Sequence, residues 1–438
     1  MASTLIQRTP SGGNRKKWTW SAWIKFSAVP SANTYLWSGY SGSNNTGYLS
    51  AYFDNDSQLN IGAWTVVYFN TARRFRDINA WYHIVIVMDT AQATAANRLK
   101  LYVNGVEETA FDSDSRSSIS QDSDMGYNSN GVHTIAGYQS SGSANVRFDG
   151  IMSHVHFTDG YAYTPSAFGE TDATTGEWKI NTSPSVSYGT TGYWIFKDDA
   201  GITDQSPNSN NWTATGTLTP TKDCPSNVFA TWNALDNYYA SATLTNGNTK
   251  VATNSSAYSA TLTSLGVSSG KYYAEFKLID KGSGYCQIGI KGKQPTASSD
   301  GVGAGSDGLA YRRDGYKVLN GSSSTYGTSY DNNDIIGIAM DLDNNRLFFS
   351  KNGTFQNSGD PTSSTGAITI PTSSSGFYFM GISDEHNAGS NTWEANFGNG
   401  YFGTTAVSSA GTNASNNGIF EYDVPSGYTA LSTKGLNL

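Results

Sequence analysis

Two stretches of the chain share one pattern of apolar and polar positions. From Trp81 to Val106 an unbroken apolar run, Ile84-Val85-Ile86-Val87-Met88, stops at Asp89. A polar loop follows, then Leu99-Lys100-Leu101-Tyr102-Val103 alternates and ends at Asn104-Gly105. Consecutive β-branched positions predict a strand buried on both faces, and period-two alternation predicts a partner strand with one wet face. Asn-Gly supplies the positive φ of a tight hairpin. The pattern returns from Asp334 to Phe355: an apolar run ending at Asp341, then Asn345-Arg346-Leu347-Phe348-Phe349, then Asn352-Gly353. The correspondence of NRLKLYVNG with NRLFFSKNG, so far apart, predicts two similar modules rather than a solenoid. Val85, Val87, Leu101, Ile336 and Ile338 are the expected core positions of the two hairpins.

Alternation recurs elsewhere. Trp18, Trp20, Ala22, Ile24 and Phe26 fall on one face of a strand, and short strands are expected at 35–37, 48–53, 132–138 and 148–157. In the second half, 270–278, 287–290, 376–382 and 393–398 read the same way. Many short strands without helical periodicity predict an all-β chain of two antiparallel β-sandwich domains. The expected organisation is a first sandwich over 1–170 and a connecting segment over 171–236. A second sandwich over 237–402 and an extended tail over 403–438 complete it. Within the connecting segment, Gly192 to Phe196 reads as a strand and Asp204 to Trp212 as a turn-rich loop. Both are expected to pack back on the first sandwich. The tail is expected to dock as an edge segment or on a neighbouring subunit.

Composition narrows the function. Of 438 residues 14% are charged and 13% aromatic, with 47 glycines and a net charge of −8. The scattered cations offer no stripe for phosphates, so no nucleic acid partner is expected. No apolar window is long enough for membrane insertion. The start, MASTLIQRTP, lacks the apolar core of a signal peptide, so synthesis in a cytoplasm is expected. Cys224 and Cys286 are too few for a disulfide framework and read as free thiols.

WTWSAWIKF, FRDINAWYHIVIVMD, NRLKLYVNGVE and FDGIMSHVHFTDGYAYTPSAFGETD resemble the laminin-G/concanavalin-A-like lectin domain. More narrowly, they are similar to the version found in structural proteins of marine bacteriophages, with FTDGYAYTPSAFGETDATTGEW the most specific phrase. SGKYYAEF, IGI, NDIIGIAMDLDNNRLFFSKNG and WEANFG, over about 237–402, resemble the SPRY domain. These resemblances imply a jelly roll followed by a second bent sandwich. They imply a non-enzymatic virion structural protein, most directly a tail-fibre or receptor-binding component that engages host surface glycans. The expected partners are other virion proteins and further copies of the chain, a homo-oligomer on the virion. A capsid decoration or head-fibre protein and a cryptic carbohydrate-active enzyme are the alternative readings.

Candidate chemistry is sparse. Glycoside hydrolysis in this fold needs facing carboxylates. Asp54 and Asp56, Asp112 and Asp114, and Asp341 and Asp343 have a two-residue spacing but lie beside turns, where Asp binds backbone amides. His154-x-His156, with Asp149 and Asp159 nearby, has metal-ligand residue types without an evident third ligand. His83 reads as a satisfied core or edge histidine. Calcium, the one cofactor considered, would take oxygens from Asp198, Asp199 and Asp204, or from Asp122 and Asp124. Arg76 and Asp77 are expected to form a structural ion pair. Ligand binding is expected on loops that expose aromatics: Trp37 and Tyr40 with Ser41, Ser43, Asn44 and Asn45; Tyr311, Arg312, Arg313 and Asp314; and Asp384, Glu385, His386 and Asn387. Core burial of Trp37 is the competing expectation.

Overall fold

A computed structural model describes residues 4–140, 143–197, 201–235, 242–254, 260–297, 300–384, 390–412 and 415–437. The chain forms two compact units, 1–220 and 221–438, each built around two large, mainly antiparallel sheets. Among the described residues no helix is long and apolar enough to cross a membrane.

In the first unit an eight-stranded sheet runs in the order Phe111–Asp114, Val67–Arg74, Gln58–Ala63, Tyr48–Phe53, Thr34–Tyr40, Val132–Ile135, Leu5–Arg8 and Thr213–Thr215. A six-stranded sheet runs Tyr193–Ile195, Gly150–Asp159, Lys17–Phe26, Tyr82–Asp89, Leu99–Val103 and Val106–Glu107. Trp18, Trp20, Ala22, Ile24 and Phe26 are buried as their alternation predicts. Trp18 meets Trp37 of the other sheet edge-on, at 6.0 Å between ring centroids. Leu101, opposite Ile86, is fully buried on the core face. Val85 and Val87 both lie on the sheet's other side, opposite Ser21 and Thr19, where Val85 is fully buried and Val87 half-buried.

That other side of the six-stranded sheet is not a wet face. Thr19, Ser21, Trp23 and Lys25 are buried too. The chain beyond Asp159 lies across them. Tyr163 donates its backbone N–H to Thr19 Oγ1 at 2.8 Å, and Thr19 donates to the Tyr161 carbonyl at 3.0 Å. The phrase FTDGYAYTPSAFGETDATTGEW therefore has a packing role: it forms much of a third layer. The strands Tyr193–Ile195 and Thr213–Thr215 pair with Gly150–Asp159 and Leu5–Arg8 respectively.

In the second unit one sheet runs Thr243–Thr245, Lys250–Ala252, Thr392–Asn396, Lys271–Asp280, Ile335–Asp341, Arg346–Lys351 and Thr354–Phe355. Its partner runs Ala260–Leu262, Phe379–Asp384, Cys286–Lys291, Gly308–Arg312, Tyr316–Leu319 and Ser322–Thr325. Ile336, Ile338, Phe276, Trp393, Ile288 and Ile382 share one buried cluster. The division between units falls at Pro220, ahead of the sequence-based boundary at 236. Residues 221–235 form no regular strand, yet they send Phe229 and Trp232 into the second core. The tail also belongs to this unit. Thr429–Ala430 pairs in parallel with Tyr272 and Tyr273. The buried Glu275 carboxylate accepts the backbone N–H groups of Glu421 and Tyr422 at 2.8 and 2.9 Å.

Candidate functional site

The outer face of the eight-stranded sheet carries a cluster of rings, several of them partly accessible. Its cross-strand rows follow from the register. One row is Tyr35, Tyr52, Asn60 and Asn70. The next holds small residues: Thr134, Ser38, Ser50 and Gly62. A third holds Val132, Tyr40 and Tyr48, with Trp64 beside them. The small middle row leaves room for rings from both flanks. Tyr35 stacks on Tyr52 at 4.9 Å. Tyr138 lies 4.8 Å from Tyr35 and 5.7 Å from Tyr48, joining the two aromatic rows. Tyr40 and Tyr48 flank Trp64 at 6.3 and 5.9 Å. Tyr35, Tyr40, Tyr52 and Tyr138 are half-buried, and Trp64 is 40% exposed.

Burial raises the Tyr35 phenol to about 12 and raises those of Tyr48 and Tyr52 as well. These hydroxyls are neutral hydrogen-bonding groups at physiological pH. Beyond Tyr52 the face turns polar. Asp54 Oδ2 accepts the Asn60 and Asn70 side-chain amides at 3.0 and 2.9 Å, and Asp112 Oδ2 accepts Gln58 Nε2 at 2.6 Å. Rings that present apolar faces beside amides and carboxylates match the two needs of a sugar: C–H surfaces to stack and hydroxyls to pair.

Of the sequence candidates, Tyr40 lies on this face, with its hydroxyl 3.0 Å from Ser43 Oγ. Asn45 Oδ1 accepts the Thr65 backbone N–H at 2.8 Å and so ties the Tyr40 loop to the Trp64 turn. Trp37 does not reach the surface. A bulge between Tyr35 and Trp37 turns it into the core, 4.5 Å from Tyr127. Tyr311 is likewise a core residue, opposite Ile288, with its hydroxyl donating to the Thr328 carbonyl. Asp384 is buried on a strand opposite Cys286. His386, Glu385 and Asn387 lie outside the described residues. Tyr35, Tyr48, Tyr52, Trp64 and Tyr138 are the residues that sequence reasoning missed. The available signal was Tyr48-x-Ser50-x-Tyr52 set against Leu49-x-Ala51-x-Phe53: aromatics on both faces of one strand.

Arg312 fares differently from Tyr311. Its guanidinium is held by Asp314 at 2.8 and 3.0 Å and lies 4.9 Å from the Tyr285 ring and 5.5 Å from the Tyr316 ring. Both rings are exposed. This makes a second, smaller aromatic patch, on the second unit.

Among the described residues the metal candidates do not converge. Asp198 and Asp199 lie outside the described residues. Asp204 accepts the Trp194, Ser206 and Asn210 backbone N–H groups and the Ser206 hydroxyl, so its carboxylate anchors its own loop. Asp124 faces Arg15 at 3.7 Å. His154 and His156 are buried, their rings 6.5 Å apart, engaged with Ser153 and Tyr188. Asp159 binds the Asn14, Thr190 and Thr191 amides instead. Among the described residues no three His, Cys, Asp or Glu side chains gather as a metal site. His83 is a satisfied core histidine, stacked on Trp23 at 4.7 Å. Arg76 and Asp77 form no ion pair among the described residues. Asp77 Oδ1 accepts the Asn79 N–H at 2.9 Å, because a turn amide is nearer than a long side chain. Asp54, Asp114, Asp341 and Asp343 all accept backbone amides, as expected of turn aspartates. Cys224 and Cys286 are free.

Comparison with known proteins agrees with this architecture. Residues 6–167 match the concanavalin A-like lectin/glucanases superfamily, and residues 271–366 match the SPRY domain. Among solved structures, the SPRY domain of human HERC1 is 19% identical, over 35% of this chain and 91% of that one, with a TM-score of 0.28. The heptameric SAP-like pentraxin of Limulus polyphemus is 19% identical, over 37% of this chain and 71% of that one, with a TM-score of 0.27. Stonustoxin is 13% identical, over 56% of this chain and 33% of that one, with a TM-score of 0.29.

Proposed function

We propose that the chain, a lectin-like domain followed by a SPRY domain, is a non-enzymatic binding protein whose first unit takes glycans on the outer face of its eight-stranded sheet. The observation that carries this reading is the pair of aromatic rows, Tyr35–Tyr52 and Tyr40–Tyr48–Trp64, joined by Tyr138. The non-enzymatic part is supported by Asp54, Asp114, Asp341 and Asp343, whose oxygens hold backbone amides. In the setting that the sequence resemblance implies, a bacteriophage virion, the ligand is a host-surface glycan. The protein is then a tail-fibre or receptor-binding component, assembled as a homo-oligomer with other virion proteins.

A second reading rests on the Arg312–Tyr285–Tyr316 patch. Tyr and Arg are the residue types that dominate protein–protein contacts, which favours a capsid decoration protein held by virion protein. Adsorption separates the two. The purified chain is offered to host cells and to capsids lacking it, alongside Tyr52→Ala and Arg312→Ala variants. Cell adsorption lost in Tyr52→Ala supports the glycan reading. Capsid binding lost in Arg312→Ala, without cell adsorption, favours decoration.

A further inference from the structure

The aromatic face is electrically lopsided, and the asymmetry bears on which glycan it takes. At the Tyr52 flank, Asp54 and Asp112 point into the row of amides formed by Asn60, Asn70 and Gln58. Neither carboxylate has an ion-pair partner among the described residues. Three arginines of the neighbouring strands and turns are held by other carboxylates: Arg73 by Glu108 at 2.6 Å, Arg74 by Asp56 at 3.3 Å and Arg116 by Asp114 at 2.6 Å. Asp54 is near enough to the rings for its charge to add to burial in raising the Tyr52 phenol. On the opposite flank, Arg147 pairs across its hairpin with Gly137, the residue before Tyr138.

We infer that the Tyr52–Asn60–Asn70 end of the face is a subsite for neutral or amino sugars and excludes uronic and sulfated ones. The inference rests on the glycan-binding reading. Carboxylate and amide oxygens accept hydrogen bonds from sugar hydroxyls and from an ammonium group. A ligand carboxylate or sulfate in the same place loses water and meets negative charge, while Arg74, across from Gln58, is already held by Asp56. Asp54 already accepts four hydrogen bonds from its own chain and holds the turn. Asp112, exposed and bonded to Gln58 alone among the contacts described, is the residue that sets the selectivity.

The test is a glycan array holding neutral, amino and acidic oligosaccharides, with cello-, chitosan- and galacturonate oligomers titrated in solution. It is run with the full chain at low and high salt. Expected is binding among neutral or amino members, with galacturonate oligomers weaker by about fivefold or more at low salt and the gap closing as salt rises. In Asp112→Asn the ratio of acidic to neutral affinity rises by about fivefold, the equivalent of one removed like charge near contact distance in water. Unchanged melting of this exposed-site variant shows that the fold is intact. A wild-type preference for acidic members that Tyr52→Ala abolishes overturns the selectivity and leaves the glycan face standing. An unchanged ratio in Asp112→Asn also overturns the selectivity. No binding to any member overturns both.

Discussion

Asn104 Oδ1 accepts the backbone N–H of His83 at 2.8 Å, while the Asn104 N–H donates to the His83 carbonyl at 2.9 Å. The second unit repeats this at Asn352 and Ile335, with both distances 2.8 Å. In each case Asn-Gly adopts positive φ, at 48° and 80° in the first unit and 48° and 79° in the second. The shared phrase in the sequence is therefore a shared device: the turn residue that closes a hairpin also caps the start of the preceding strand. Asn104→Ala and Asn352→Ala should each cost roughly 1–3 kcal/mol, by losing a hydrogen bond and placing a Cβ branch in the left-handed region without side-chain support. Chemical denaturation measures this. Gly at the same positions should recover the φ part of the loss and not the hydrogen bond.

Leu101 and Val87 lie on opposite faces of adjacent strands, one fully buried and one half-buried. Leu101→Ala should cost about 2–5 kcal/mol, the range for a buried leucine, and Val87→Ala distinctly less. Equal losses would mean that the outer face is packed as tightly as the core.

How far the sequence could be read follows from what period-two alternation can encode. It places Trp18, Trp20, Leu101 and Ile338 correctly because one sheet face always meets the opposing sheet. It cannot show that Thr19, Ser21 and Trp23 are covered, because their cover arrives from residues after Asp159 that have no periodicity. It also fails at a bulge. Strict alternation puts Tyr35 and Trp37 on one face, yet the extra residue at Leu36 leaves Tyr35 on the outer face and turns Trp37 inward. Tyr311-Arg312-Arg313-Asp314 reads as one loop, yet the strand Gly308–Arg312 sends Tyr311 and Arg312 to opposite sides. The aromatic face is not legible in the sequence because its rings come from separate strands and a separate hairpin, brought together only by register.

Acid should loosen the first unit. Trp178 Nε1–H donates to His83 Nδ1 at 3.0 Å, so Nε2 carries the proton and donates to Ser21 Oγ at 2.9 Å. Burial lowers His83 from 6.5 to about 3 and His133 to about 4. Folded values below the unfolded value mean stability that is present above about pH 6.5 and lost as pH falls toward 4 and 3. Glu275 in the second unit behaves oppositely. Burial lifts it from 4.5 to about 7, against the donors that hold it down. Its contribution is greatest below about pH 4.5 and fades as pH rises through 7. Hydrogen exchange from pH 4.5 to 6.5 should show protection near Val85 rising with pH, with a smaller slope in His83→Gln. Near Ile338, the wild type should gain less with pH than Glu275→Gln. Slopes that neither substitution changes would contradict these assignments.

The most direct measurement is the affinity of the full chain for whichever glycan it retains on an array, compared with Tyr40→Ala, Tyr52→Ala and Tyr285→Ala. Loss of one stacking ring at the first unit's face should weaken binding several-fold to about tenfold, consistent with aromatic contacts of about 0.5–1.5 kcal/mol beyond area burial. Tyr285→Ala, on the second unit, should leave it unchanged. Affinity that survives both Tyr40→Ala and Tyr52→Ala, or that falls only with Tyr285→Ala, would contradict the account.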